Sequence, residues 1–418
     1  MANTPSELRR NWTIVLVCGI GIGAGVTGIP FYTLGLFVQP LESEFAWSRA
    51  QVQGMFTVFS VVGLAAVPLV SWATDRYGVR RVVLLSLSGA ALGYVCLSQL
   101  TRSLATFYIG AGLLGLLGAG TSPVTWTKAL SGWFDQQRGL ALGLALAGTG
   151  FAAMLAPPYV AALIERFDWR AAYLGLCLIP LLALPLVFAL LRDPPGSGPG
   201  AAARAVTLPG VTLAQAVRDW RLWVIFVSYF MLSFAVGGSI PNLVPLLTGT
   251  GMTRASAAGV VGLIGIAVIA GRMIVGFLID RFWAPAVAAV VQALPIISAL
   301  LLMQDNPGSQ EAAVAVLLIG FAAGAEFDLI AFLVSRYFGL AHYAKVYAVP
   351  YVAFAVGAGI APTFFGYLFD IYGGYQQVMM LCAGLFGASA VILLALGRYP
   401  TLSAPLEVGG ELQQPAEH

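Results

Sequence analysis

Charge is scarce in this chain. Of its 418 residues only 9% are Asp, Glu, Lys or Arg, while 59% are hydrophobic; soluble domains carry about 25% charged residues. A soluble fold has no interior large enough for that much apolar surface, so lipid must be the solvent for most of it. Histidine is rarer still. His342 falls in a polar loop and His418 in the tail, which leaves no buried imidazole relay. Cys18, Cys96, Cys177 and Cys382 all lie inside apolar segments without metal-ligand spacing. Neither a disulfide framework nor a metal site is expected from them. The chain also lacks a phosphate-binding glycine loop and any nucleophile with a base beside it, which argues against an ATP-driven pump or an enzyme and calls for no cofactor. Its basic residues are scattered among loops, so the net charge of +3 offers no nucleic-acid surface.

What the chain does have is long apolar runs. Hydropathy and loop punctuation predict twelve, near 11–38, 50–73, 81–101, 105–131, 139–164 and 170–191, then 220–248, 256–279, 284–304, 311–335, 344–369 and 376–397. Each is close to the roughly 20 residues that a bilayer core requires. No small-residue cleavage pattern follows the first run, which is expected to be retained. The expected fold is an all-α membrane protein with twelve transmembrane helices in two pseudo-symmetric six-helix halves. Residues 1–192 form the first half and 220–397 the second. Between them 193–219 reads as a cytoplasmic linker, because Pro194-Pro195-Gly196-Ser197-Gly198-Pro199-Gly200 cannot continue a helix. A short interfacial helix is expected over Thr212–Arg218. Residues 398–418 are polar, with Pro405 and Pro415, and are expected to be a disordered cytoplasmic tail.

The two halves repeat. Asp75-Arg76-Tyr77-Gly78 returns as Asp280-Arg281-Phe282-Trp283, an offset of 205 residues. Trp47-Ser48-Arg49-Ala50 and Met252-Thr253-Arg254-Ala255 share that offset, as do Glu165 and Asp370. Trp133-Phe134 answers to Tyr337-Phe338 at 204. Two halves of like topology around a central site is how many secondary transporters are built. Lysine and arginine set the orientation. With the N-terminus inside, fifteen fall on the inner side (from Arg9 and Arg10 to Arg398) and five on the outer (Arg49, Arg102, Arg166, Arg170 and Arg254). Both termini are therefore expected in the cytoplasm. Glycines within the spans, such as Gly19, Gly21, Gly23, Gly25 and Gly28 in the first and Gly143, Gly148 and Gly150 in the fifth, allow close helix approach and sliding.

Charges deep in a span are costly and usually functional. Arg272 lies eight residues before Asp280, and Glu326 ten before Arg336. At 1.5 Å per residue both sit about 12–15 Å from the inner helix end, one in the eighth span and one in the tenth. A planar guanidinium at that depth is a natural partner for a substrate carboxylate. Glu326 is expected to occupy Arg272 when substrate is absent and to carry the proton, since burial disfavours a charged carboxyl and a nearby arginine favours it. Asp328, roughly 200° further around the helix, is expected to bond a neighbouring helix and is the second candidate for the proton. Lys128, shallower, reads as an anchor that snorkels to the inner surface. Tyr32, Asn242, Tyr347 and Tyr351 are candidate hydrogen-bond donors along the path.

These features resemble the major facilitator superfamily. Its Gly-x-x-x-Asp-Arg-x-Gly-Arg-Arg loop is matched by Ser71-Trp72-Ala73-Thr74-Asp75-Arg76-Tyr77-Gly78-Val79-Arg80-Arg81, with Ser71 in place of the leading glycine. The second copy keeps Gly276 and Asp280-Arg281 and then departs. The resemblance implies a charge latch from Asp75, Arg76, Arg80, Arg81, Asp280 and Arg281 that holds the inner side closed. Within the superfamily the chain is most similar to monocarboxylate transporters and the bacterial oxalate–formate transporters. Phe45-Ala46-Trp47-Ser48-Arg49-Ala50, Trp133-Phe134-Asp135-Gln136-Gln137-Arg138-Gly139-Leu140-Ala141-Leu142-Gly143 and Gly271-Arg272-Met273 carry that similarity. Animal members place an aspartate where Val268 stands and a lysine near Tyr32, so their coupling residues do not transfer directly. The resemblance implies a monomeric secondary carrier of small organic monocarboxylate anions in a bacterial inner membrane, coupled to protons. Anion exchange, a non-transporting receptor on the same fold and multidrug efflux are the alternatives.

Overall fold

Of the repeated tetrapeptides, Trp47–Ala50 and Met252–Ala255 are helix starts, and Asp75–Gly78 and Asp280–Trp283 mark helix ends. The Ser48 hydroxyl accepts from the Gln51 N–H at 3.3 Å and opens one long helix; the Thr253 hydroxyl accepts from the Ser256 N–H at 3.2 Å and opens its counterpart. Each takes one of the donors that a helix N-terminus leaves free. The computed structural model describes residues 7–134, 137–193, 210–304 and 307–400. Residues 194–209 of the expected linker and 401–418 of the expected tail lie outside the described residues.

In the first half, α1 (Glu7–Ala24) and α2 (Ile29–Phe45) make one span. They are followed by α3 (Arg49–Tyr77) and α4 (Val79–Ser98). The fourth span is α5 (Leu104–Gly118), a 3-10 turn (Ala119–Thr121) and α6 (Pro123–Ser131). Then come α7 (Arg138–Arg166) and α8 (Trp169–Leu190). A short helix α9 (Leu213–Arg218), capped by Thr212, precedes the second half. That half is α10 (Trp220–Gly249), α11 (Arg254–Ile279), α12 (Ala284–Leu302), α13 (Ser309–Phe338), α14 (Tyr343–Tyr372) and α15 (Gln376–Leu394). Among the described residues twelve stretches are long and apolar enough to cross a membrane. Leu85, Leu182, Met273 and Val391 point outward, as lipid contact requires. The side bearing α9 and the ends of α3 and α11 is here the linker side; the opposite is the far side.

Two spans expected to be continuous are broken, and the breaks face each other. Pro30 cannot extend a helix backward, and Gly25–Gly28 form turns before it. Pro123 does the same in the fourth span. The Val26 N–H, released by the first break, donates to the Thr121 hydroxyl at 3.1 Å in the second. Trp126 Nε1 donates to the Thr121 carbonyl at 3.1 Å. Gly21 gives the indole its space, because a Cβ there would lie 2.1 Å from the ring. Freed backbone groups are thus satisfied inside the protein, as a broken helix at membrane depth demands.

The halves meet along α2 with α10, α3 with α14, and α7 with α11. Bare backbone makes two of these seams. Pro245 has no N–H for the Pro241 carbonyl, and that oxygen rests where a Cβ on Gly35 would be, 2.1 Å away. Gly150 and Gly265 meet likewise, the Gly150 carbonyl lying 2.1 Å from a Cβ at Gly265. Among the described residues every side-chain hydrogen bond between the halves lies toward the far side. Toward the linker side no side-chain hydrogen bond joins the halves among the described residues.

Candidate functional site

Close helix packing puts Arg272 where it is. A Cβ on Gly271 would lie 2.2 Å from the Phe321 carbonyl, and one on Gly324 2.2 Å from that of Val268. Both therefore have to be glycine for α11 and α13 to cross at this distance. Met273 then faces outward at 71% exposure, while the Arg272 side chain, 10% exposed, turns onto α13. Its Nε lies 3.3 Å from Asp328 Oδ2 and donates to the Gly324 carbonyl at 3.4 Å. Nη1 is buried with no hydrogen-bond partner among the described residues.

The expected Arg272–Glu326 pair is corrected: the partner is Asp328. The reason is angular. Gly324 marks the line of contact on α13, and Asp328, four residues on, falls on the same face. Glu326 lies on another face of α13. It is only 3% exposed, its Oε1 has no hydrogen-bond partner among the described residues, and its charge is within electrostatic reach of the Tyr32 and Tyr229 hydroxyls. Tyr32, on α2 of the other half, also senses Arg272. Tyr229 was not anticipated from sequence; its hydroxyl is buried near Gln292, and one tyrosine within an apolar run gives no outward signal.

Tyr347 and Tyr351 stand on α14 beside this group. Tyr347 is within electrostatic reach of Asp328, and Tyr351 lies 6.3 Å from the Phe327 ring. Asn242 does not join them. It lies 22 residues into α10, about 33 Å from the linker-side end, whereas Arg272 is about 12 Å from its own. The Asn242 amide exchanges hydrogen bonds with Gln53 (2.7 and 3.3 Å), and its Oδ1 accepts from the Tyr375 hydroxyl at 3.0 Å.

That bond belongs to a lock on the far side. Arg49 grips Glu42 with Nε and Nη2 at 2.9 and 3.1 Å. Its Nη1 donates to the Tyr375 hydroxyl at 2.7 Å, and its guanidinium stacks 3.7 Å over Phe369. The Asp370 carboxylate, at the end of α14, accepts from the Arg49 and Ala50 N–H groups at 3.1 and 3.0 Å. A carboxylate from one half thus caps a helix of the other, where the helix dipole favours it. In sequence Asp370 was visible only as a repeat marker, and Arg49 as a repeat marker, an outer-side charge and part of the family resemblance. The pseudo-equivalent Glu165 is exposed and caps nothing. A cavity of about 460 Å³ near that corner is lined by Arg254, Asp168 and Glu44.

On the linker side the expected latch residues are apart. Asp75 bonds Lys128, which also reaches the Thr74 hydroxyl at 3.1 Å. Both partners lie in the first half, and the lysine anchors α6 to the end of α3. The Arg80 N–H donates to Asp193 at 3.0 Å, and its guanidinium lies 4.9 Å from the Phe188 ring. Arg76 packs near Trp72 and Tyr77. Arg81 is exposed, as is Asp280 at the end of α11, while Arg281 covers the Phe277 ring at 3.5 Å. Among the described residues no side-chain hydrogen bond joins the halves here.

Two bundles, a midplane arginine between them and one closed side describe a membrane carrier. The Major Facilitator Superfamily profile matches residues 20–362. The chain belongs to that superfamily and is related to its monocarboxylate transporters. It is 28% identical to monocarboxylate transporter 11 of Mus musculus, over 88% of this chain and 83% of the relative. It is 27% identical to monocarboxylate transporter 13 of Bos taurus (96% and 92% covered). The same identity holds with an uncharacterized MFS-type transporter, YhjX, of Escherichia coli strain K12 (85% and 88%). The fold is similar to the crystal structure of a bacterial homologue of the human lysosomal transporter Spinster, inward-facing and unoccupied. The TM-score is 0.67 at 17% identity, with 94% of this chain and 96% of that one covered.

Proposed function

We propose that this protein carries small organic monocarboxylates across the membrane by alternating access, one proton accompanying each anion. The observation that carries this reading is Arg272, held at mid-depth, paired through its Nε edge and with Nη1 unpartnered. A carboxylate entering from the linker side displaces what covers Nη1 and competes with Asp328 for the guanidinium. Once displaced, Asp328 has no counter-ion in a medium of low dielectric, and a proton is what makes its burial tolerable. Anion and proton then bind as a neutral pair, and the halves rock closed around them. Glu326, buried beside Tyr32 and Tyr229, is the second acid able to hold the proton. The relatives' names support carboxylate as the substrate. The bias of lysine and arginine supports a cytoplasmic linker side in a bacterial inner membrane.

The test is uptake into proteoliposomes under an imposed proton gradient. Wild-type protein is expected to accumulate carboxylate above equilibrium when the gradient points inward. Asp328→Asn, which mimics the protonated acid, is expected to keep exchange of internal for external substrate and to lose accumulation. If Glu326→Gln shows that split and Asp328→Asn does not, Glu326 carries the proton. Normal accumulation by both variants would reject proton coupling through α13. Trans-stimulated exchange without any response to the gradient would mean an anion exchanger.

A further inference from the structure

Arg272 specifies a carboxylate but not what the carboxylate is attached to. Aromatic residues of both halves lie in its neighbourhood: Tyr32 is within electrostatic reach of Arg272, and Tyr347 within that of its partner Asp328. On the second half Tyr343, Tyr347 and Tyr351 follow one another at single-turn spacing along α14. Their centroids are 5.5 and 5.9 Å apart and their planes nearly parallel, at 23° and 27°. The ladder runs from the linker-side start of α14 upward, reaching Arg272's depth at Tyr351, about 12 Å in. Phe327, the residue before Asp328, extends it: its ring is 6.3 Å from Tyr351 and 4.7 Å from Phe354. On the first half Tyr32 meets Phe31 edge-on at 5.2 Å, and Phe31, Phe56 and Phe59 continue at 5.6 and 5.5 Å.

We propose that the carried acid is an aromatic monocarboxylate, an aryl or arylalkyl acid whose ring lies between the α14 ladder and the Phe31–Tyr32 pair while its carboxylate takes Arg272. The inference rests on Arg272 as the carboxylate anchor. Rings stack offset or edge-to-face at the separations that these walls already use among themselves. An aryl acid bound to Arg272 presents its ring to both walls at once. A two- or three-carbon acid leaves them bare and binds through its charge alone. The ladder starts at the linker-side end of α14 and offers the ring a path of like surfaces toward the anchor. Because the walls come from different halves, the ring gains its second contact only when the halves close on it, which ties recognition to the conformational step.

The experiment compares phenylacetate and benzoate with propionate and lactate, as transported substrates and as competitors, in proteoliposomes of the full chain. The aryl acids are expected to bind at least roughly tenfold more tightly than the aliphatic ones, the scale of good ring stacking. Tyr351→Ala and Tyr347→Ala are expected to weaken phenylacetate about tenfold, and the corresponding phenylalanine variants to restore it. Wild-type preference alone is decisive should an alanine variant fail to insert. Arg272-dependent transport that favours propionate or lactate overturns the aromatic assignment and leaves the carboxylate reading standing. Binding of neither class, with Arg272→Lys without effect on any ligand found, overturns both.

Discussion

Arg272→Lys is expected to lose most carboxylate transport although the charge is kept. Lysine offers a point charge where arginine offers a planar fork. In the structure that fork serves two clients, Asp328 and the Gly324 carbonyl on its Nε edge, with Nη1 left for a third. An ammonium can hold Asp328 or the substrate but lacks the geometry to pass from one to the other. Exchanging a bidentate charge-assisted contact for a single one should lower kcat/KM by about tenfold to a hundredfold. The measurement is initial uptake rate against substrate concentration, at matched insertion and thermal stability. An unchanged apparent affinity would remove Arg272 from the role of anchor.

Asp370→Ala is expected to release the far side. The carboxylate accepts two backbone N–H groups at the start of α3, and those donors lose both their partner and the charge that complements the helix dipole. Each charge-assisted bond contributes about 1.5–3 kcal/mol, so the far-side-open population should rise at least tenfold. A cysteine at Ser60, which packs against Gly359 across the α3–α14 seam, would report it through labelling from the far side. The substitution Ser60→Cys is nearly isosteric; the native Cys18, Cys177 and Cys382 are buried, and the half-buried Cys96 is changed to serine in the parent. Labelling that stays at the parental rate would mean that the seam holds without Asp370.

The spans were legible because each needs about 20 apolar residues with polar punctuation. The repeat offset was legible because four pairs of helix-end residues share it, one of them the hydroxyl caps Ser48 and Thr253. The breaks at Gly25–Gly28 and Ala119–Ser122 were not read, although Pro30 and Pro123 were there. Hydropathy is blind to a broken helix whose polar groups are satisfied by a neighbour, as Thr121 satisfies Val26. Depth along a helix placed Arg272 and the acids of α13 at one level. Rotation about the helix decided between those acids, and only the Gly271 and Gly324 contacts fix it. Asn242 shows the converse error. As a polar residue in a span it looked like part of the path, but counting from Trp220 already puts it near the far side.

The two copies have since taken on different mechanical duties. Where α3 meets α14, a carboxylate, a guanidinium and a phenol hold the seam, contacts that either exist or do not. Where α7 meets α11, the Gly150 and Gly265 backbones touch with nothing to unfasten. A molecule built this way has a clasp along one edge and a hinge along the other. Opening toward the far side should then be a swing and not a symmetric parting, with spin-label distances across α3–α14 changing more than those across α7–α11. Duplication supplied two equal edges, and the divergence of one acid, Asp370 against Glu165, gave the swing its direction.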